Sequence, residues 1–255
     1  MDTHGLRQRG VRTGAVPADA LAGELMAPTA HEVALPARIE SALAGVLVAL
    51  AVLGLALLPV ASRPVVGVLV GAVDASATSG LDPVLTRQTA EAVRRFVLDP
   101  DAPALPAKVG GRPGFDADAV AHLIDVRNVM VPARTLTIVL VVAIAAWFVL
   151  RSRSAAGKRI VGGALTSGGL VLLGAGGIAA FAGLIDFPAL FAWFHTLFFA
   201  EGTWLFPSDA LLIGVFPLPF WVAAGALWAS LVLLLAAALV IAGRRMSSTA
   251  SVKRV

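Results

Sequence analysis

The chain lacks cysteine altogether and is short of charge. Without cysteine there are no disulfides, no thiolate metal centres and no thiol nucleophiles. Charged residues make up 14% of the 255 positions, against about a quarter in an average globular chain. Hydrophobic residues make up 58%, and the mean hydropathy is +0.87. Such a chain suits an apolar solvent, which excludes an ordinary soluble domain and points to an integral membrane protein. Two catalytic signatures are also missing. There is no Gly-x-Ser-x-Gly elbow and no glycine-rich phosphate loop with Lys-Ser/Thr, so a covalent acyl-enzyme has no evident nucleophile. The net charge of +4 and the pI of 10.6 would admit a nucleic-acid partner. No Lys/Arg run interleaves with aromatics, however, so nucleic acid is not expected and the basic residues are read as topology.

What the chain does have is four long apolar runs, and an all-α membrane protein with four transmembrane helices is expected. The runs cover about Ser41–Ala61, Val129–Leu150, Ile160–Ile185 and Phe220–Ala242. Each approaches the roughly 20 residues that ~30 Å of hydrocarbon requires. The third is rich in glycine, and small-xxx-small pairs such as Gly176 with Ala180 and Gly45 with Ala49 mark candidate helix contacts. Equally, these glycines are simply tolerated in lipid.

Basic residues set the expected orientation. Arg7, Arg9, Arg12 and Arg38 precede the first run. Arg151, Arg153, Lys158 and Arg159 fill the loop between the second and third, and Arg244, Arg245, Lys253 and Arg254 follow the fourth. The segment Asp186–Pro219 has no Lys or Arg. The positive-inside rule places both termini in the cytoplasm. Residues 62–128 also carry basic residues, but exceed the ~60-residue length over which loops count. The resulting organisation is a disordered basic tail over 1–38, a membrane domain over 39–243 and a cytoplasmic tail over 244–255. A signal peptide is not expected, because the first apolar run begins late and is too long.

Two segments then lie outside, 62–128 and 186–219. In the first, Thr86–Leu98 has helical apolar spacing, prolines 100, 103 and 106 break the chain, and a second helix starts at Asp116 as N-cap. Val65–Val73 reads as a short strand or an interfacial turn. The second segment is crowded with rings. Twelve of the chain's 17 aromatic residues fall between Phe181 and Trp221, which suits a membrane–water interface. A short interfacial helix over Ala189–Phe199 and a turn over Ala200–Thr203 are expected.

Of four histidines, His4 and His31 fall in the tail, whereas His122 and His195 both fall in the outer segments. On a helix, Asp118 and Asp125 share a face with His122, and a carboxylate beside an imidazole fixes its tautomer and stabilises its cation. His195 is surrounded by rings, with Glu201 and Asp209 the nearest acids downstream. The plain alternatives are a headgroup-level anchor for His195 and an ordinary hydrogen-bonded pair for His122. A metal site from His122, Asp125 and His195 is disfavoured, since no HxxxH spacing occurs; neither metal nor cofactor is expected.

The stretches FDADAVAHLIDVRNV (Phe115–Val129) and FHTLFFAEGTWLFPSDALLIGVFPLPFW (Phe194–Trp221) each lead into a membrane span. With the four-span layout, they resemble a family of bacterial integral membrane proteins, the lipoprotein intramolecular transacylase (Lit) family, over most of Glu40–Ala242. The N-terminal tail has no counterpart in that family. The resemblance implies an acyltransferase that moves an acyl chain from the diacylglyceryl group of a lipoprotein's N-terminal cysteine to that cysteine's α-amine. Membrane lipids and a diacylated lipoprotein are the implied partners, and His122 and His195 match the family's catalytic histidines.

Elementary chemistry fits. An α-amine has a pKa of about 7.7–8.0 and imidazole one of about 6.5, so an imidazole can take the amine's proton near neutral pH. Ester and amine belong to one molecule, so holding a reactive conformer supplies much of the rate. The expected assignment has His122 as base, oriented by Asp125 or Asp118, and His195 as acid or oxyanion partner. Arg127 and the Trp204 indole are further oxyanion donors. Phe194 and Phe198 would contact acyl chains at leaflet depth, and Asp209 supports the site or caps a turn. A non-enzymatic lipid-binding scaffold is the alternative, in which both histidines tolerate substitution. A transporter is disfavoured, because no ionisable residue lies deep within a span.

Overall fold

The structure, a computed structural model, describes the backbone of residues 30–252 and the side chains of residues 35–248. The chain divides into two units, Met1–Ile39 and Glu40–Val255. The elements in order are α1 (Ala30–Val60), α2 (Arg63–Ala72), α3 (Ala75–Ser79), α4 (Pro83–Leu98), the hairpin β1 (Lys108–Val109) and β2 (Arg112–Pro113), α5 (Ala117–Arg151), α6 (Ala155–Ile185), α7 (Phe187–Phe198), α8 (Leu211–Val215) and α9 (Leu218–Val252). Helices α1, α5, α6 and α9 are long and apolar enough to cross a membrane.

Helix starts follow from side-chain caps. Asp82 accepts from the Val84 and Leu85 amides ahead of Pro83, and Asp116 accepts from the Ala119 amide at 2.7 Å, opening α5 where the sequence places it. Asp186 ends α6 and also caps α7, accepting from the Ala189 amide at 3.0 Å. One carboxylate thus sets the corner from which α7 departs.

Helices α1, α6 and α9 pack through Ala49, Val52, Ala56, Leu172, Val232 and Ala236. Small residues permit this closeness. A Cβ on Gly168 would come within 2.5 Å of the Gly45 carbonyl oxygen, so Gly45 does mark a contact face. Gly176 is looser, since a Cβ there meets only side chains, Leu233 at 3.3 Å and Val232 at 3.8 Å. The Trp228 indole ties α9 to α1 by donating to the Leu53 carbonyl at 3.1 Å. At one end of the helices, Glu40 accepts from the Trp147 indole and pairs with Arg151 at 2.6 Å.

At the opposite end, the two intervening segments build a single small core. Val66 and Val70 of α2, Val93 and Phe96 of α4, Ala119 and Leu123 of α5, Leu212 and Val215 of α8, and Phe220 of α9 are all buried together. This core positions the start of α5.

Several expectations change. Val65–Val73 is neither strand nor turn; Arg63–Ala72 is helical, with Val66 and Val70 buried at helical spacing and Pro64 in the first turn. Residues 30–38, expected as disordered tail, belong to α1, while residues 1–29 lie outside the described residues. The helix that carries the last apolar run continues past residue 242, to Val252. The outer helix and the second span are one helix, α5. Its 35 residues measure about 52 Å at ~1.5 Å each, so it extends beyond the ~30 Å apolar layer.

Replacing Gly168 with leucine should force α1 and α6 apart, at a cost of about 1–3 kcal/mol from overpacking. Thermal unfolding in detergent should show a lowered midpoint. An unchanged midpoint would mean that the Gly45–Gly168 contact does not limit helix approach.

Candidate active site

His122 lies in the second turn of α5, where Ala119 and Leu123 are buried in the small core and fix that face of the helix. Arg127 fastens the next turn. Its Nε donates to the Phe96 carbonyl at 2.5 Å, and its guanidinium sits 3.9 Å from the centre of the Phe96 ring. Arg127 therefore joins α5 to the end of α4, with one nitrogen, Nη2, left buried and unpartnered.

His195 lies in the last turn of α7. The two imidazoles, 73 residues apart in sequence, come together with ring centroids 6.2 Å apart and planes inclined by 27°. Both residues are buried, at 8% and 9% exposure. Phe191 at 4.1 Å, Trp204 at 4.7 Å and Phe199 at 5.6 Å surround the His195 ring, and Phe199 and Phe206 meet His122 at 4.9 and 5.6 Å. The wall is aromatic on both sides.

The two histidines differ in their hydrogen bonds. His195 Nδ1 lies 2.7 Å from the Phe191 carbonyl oxygen, so Nδ1 carries the proton and donates, leaving Nε2 with its lone pair free. His122 Nδ1 is buried with no partner, as is the Trp204 indole nitrogen. Burial pushes the His195 imidazole below its ordinary value, against the opposing effect of the bond to Phe191. The ring is therefore a neutral base near pH 7.

The other expected site residues distribute as follows. Asp118 and Asp125 are exposed, and no hydrogen bond joins either to His122 among the described residues. The expected orienting carboxylate makes no hydrogen bond to that histidine, because the face of α5 that buries Ala119, His122 and Leu123 turns both aspartates outward, and Asp125 acts on the ring only through its charge. Trp204 is in the site. Phe194 packs edge-on to His195 at 5.6 Å and is 48% exposed, whereas Phe198, equally exposed, contacts Phe194 and Phe199 rather than an imidazole. Asp209 lines a separate cleft of about 210 Å³ with Arg112, Phe115 and Asp116. Sequence reasoning missed Phe191, Phe199 and Phe206. The first two stand four residues before and after His195, a spacing that would have found them. Among the described residues, no group of three His, Asp or Glu side chains is arranged to hold a metal ion.

Comparison with known proteins gives a consistent answer. The family model described as Lipoprotein intramolecular transacylase Lit matches residues 44–221. The in meso structure of the membrane integral lipoprotein intramolecular transacylase Lit from Bacillus cereus is similar at a TM-score of 0.70 and 16% identity, covering 85% of this chain and 98% of that one. A variant of that protein with a histidine changed to arginine gives 0.66 at 14% identity, covering 92% and 99%. A variant with a histidine changed to alanine gives 0.63 at 13%, covering 91% and 98%. No curated protein sequence matches the chain.

Because His195 is buried neutral, the unfolded chain takes up a proton near pH 6.5 that the folded chain resists. Stability should therefore fall as pH drops below about 6.5. NMR titration of the His195 ring should show a midpoint below that value, and the acid loss of stability should shrink in His195→Gln. A midpoint above 6.5 would contradict the assigned environment.

Proposed function

Since the chain belongs to the lipoprotein intramolecular transacylase (Lit) family, and is thereby an acyltransferase-type enzyme of the bacterial membrane, we propose that His122 and His195 perform its acyl transfer at the outer leaflet. The supporting observation is the buried pair of imidazoles 6.2 Å apart, with His195 Nδ1 bound to the Phe191 carbonyl and Nε2 free. The proposed substrate is a lipoprotein whose N-terminal cysteine carries a diacylglyceryl group. The product has one acyl chain on the cysteine's α-amine and a free hydroxyl on the glycerol.

The neutral α-amine attacks the ester carbonyl carbon, forming the C–N bond, and its surplus proton passes to His195 Nε2. The carbonyl oxygen becomes an oxyanion, which accepts hydrogen bonds from the Trp204 indole N–H and from His122. Both have buried nitrogens without a partner in the protein. The C–O bond then breaks, and the His195 imidazolium returns its proton to the departing glycerol oxygen. Nucleophile and ester belong to one molecule, so no enzyme nucleophile is needed and positioning supplies much of the acceleration. Two imidazolium ions side by side in an aromatic wall would repel, which favours one base and one neutral donor. His195 takes the role of base, the reverse of the assignment from sequence, because it is the histidine whose tautomer is fixed.

Trp193, Phe194, Leu197 and Phe198 present an exposed apolar face on α7, suited to lipid and to the acyl chains. The histidines lie at the end of the helices opposite the basic loop that holds Arg151, Arg153, Lys158 and Arg159. The positive-inside rule then puts the site outside, with residues 62–128 and 186–219 on that side and both termini in the cytoplasm.

In a host that makes diacyl lipoproteins, the wild-type chain should yield N-acyl, lyso-form N-termini by mass spectrometry. His122→Gln and His195→Gln should each slow that conversion by about 10²–10⁴. If wild type and both variants give identical lipoproteins, the assignment fails. Trp204→Phe keeps the ring and removes the N–H, and should cost about 10² in rate. Full activity in that variant would remove the indole from the mechanism.

A further inference from the structure

A second site lies away from the histidines, between α1, α4 and the membrane-crossing part of α5. Helices α1 and α5 meet at Gly54 and Thr137, where any side chain at Gly54 would overlap the threonine. Beside that contact is a groove of about 400 Å³, lined by Leu57, Leu58, Met130, Ala133 and Ile138, with Ser62, Arg94, Arg134 and Thr137 as its polar members. Its volume falls within the ~300–1,000 Å³ typical of small-molecule sites.

Arg134 is the exception to the expectation that no ionisable residue lies deep within a span. It falls five residues inside the apolar run that begins at Val129, about 8 Å along the helix. It is exposed, and has no ion pair or hydrogen bond among the described residues. A guanidinium at that depth in lipid is costly unless it finds an anion or water. Side chains on a helix tilt toward its N-terminus, and Arg134 lines the groove together with Ser62 and Arg94.

Among the described residues no carboxylate lines the groove. Glu91 is already gripped by Arg94 through both oxygens, at 2.7 and 2.8 Å, and Arg63 and Arg95 act electrostatically on the same carboxylate. The neighbourhood therefore carries an excess of positive charge over one acid. The anion available to a lipid-facing guanidinium at this level is a phospholipid phosphate, which matches the planar fork of arginine. The diacylglyceryl group of a lipoprotein carries no phosphate, so this chemistry does not suit that substrate. Among the described residues no Asp or Glu lines the groove, so nothing in its lining receives the ammonium of a zwitterionic headgroup.

We propose that this groove is a binding site for an anionic phospholipid, with the phosphate held by Arg134 beside Ser62 and one acyl chain lying along Leu57, Leu58 and Ile138. The lipid would wedge between α1 and α5 and neutralise a charge that the fold leaves open.

The full chain, purified in detergent and given equal amounts of phosphatidylglycerol and phosphatidylcholine with matched chains, tests this by native mass spectrometry. Wild type should retain phosphatidylglycerol over phosphatidylcholine by about fivefold or more. Arg134→Gln should bring the ratio to about one, and Ala133→Leu, which fills the groove, should lower retention of both lipids. Arg87→Gln removes an exposed charge from α4 outside the groove and should leave the ratio unchanged. A wild-type ratio near one would overturn the proposal, as would an Arg87→Gln loss equal to that of Arg134→Gln. Binding is read without turnover, so the result is independent of the proposed acyl transfer.

Discussion

Two imidazoles lie buried side by side among aromatic rings, and the helices on either side hold them there. An imidazole enclosed by Phe191, Phe199 and Trp204 loses hydration that would favour its cation, so it stays a base when the solvent is neutral. A second imidazole 6.2 Å away adds to the penalty for charging both. What results is a site with lone pairs and N–H groups but little tolerance for net charge. That suits a reaction in which a neutral amine replaces a neutral alcohol on an acyl group.

Holding such a pair demands a rigid frame on either side. His122 is carried by a long helix whose first turns are anchored twice, by the Asp116 cap and by the Arg127 link to Phe96. His195 ends a shorter helix that leaves α6 at Asp186, and its ring is fixed to the backbone one turn earlier. Below them, α1, α6 and α9 approach closely because glycines stand at their crossings. Helix α5 is the more lipid-exposed span, and at its junction with α1 the fold leaves the cationic groove around Arg134.

Much of this was legible in the sequence, and the failures have physical causes. The long apolar runs, the Asp116 cap and a helix near Ala189–Phe199 were readable from residue type and spacing, and the two histidines singled out there come together in the fold. Val65–Val73 was not, because a short continuous apolar run has no period that separates strand from helix. The partner of His195 was not either. The sequence offered aspartates beside His122, and the fold instead used a backbone carbonyl beside the other histidine. Carbonyls are invisible in a sequence, and whether a helical aspartate turns inward depends on which face is buried. The rings of Phe206 and Trp204 arrive from the chain after α7, so their placement is a tertiary fact, although their crowding in the sequence hinted at it.

The central claim is that the two imidazoles act as one catalytic unit. A double-mutant cycle tests it most directly, with acyl-transfer rates for wild type, His122→Gln, His195→Gln and the double variant measured on a diacylated lipoprotein. Members of one unit are strongly non-additive, so the double variant should be no slower than the worse single variant, within about twofold. Losses that multiply would mean two independent contributions, and a double variant with wild-type rate would place the chemistry elsewhere.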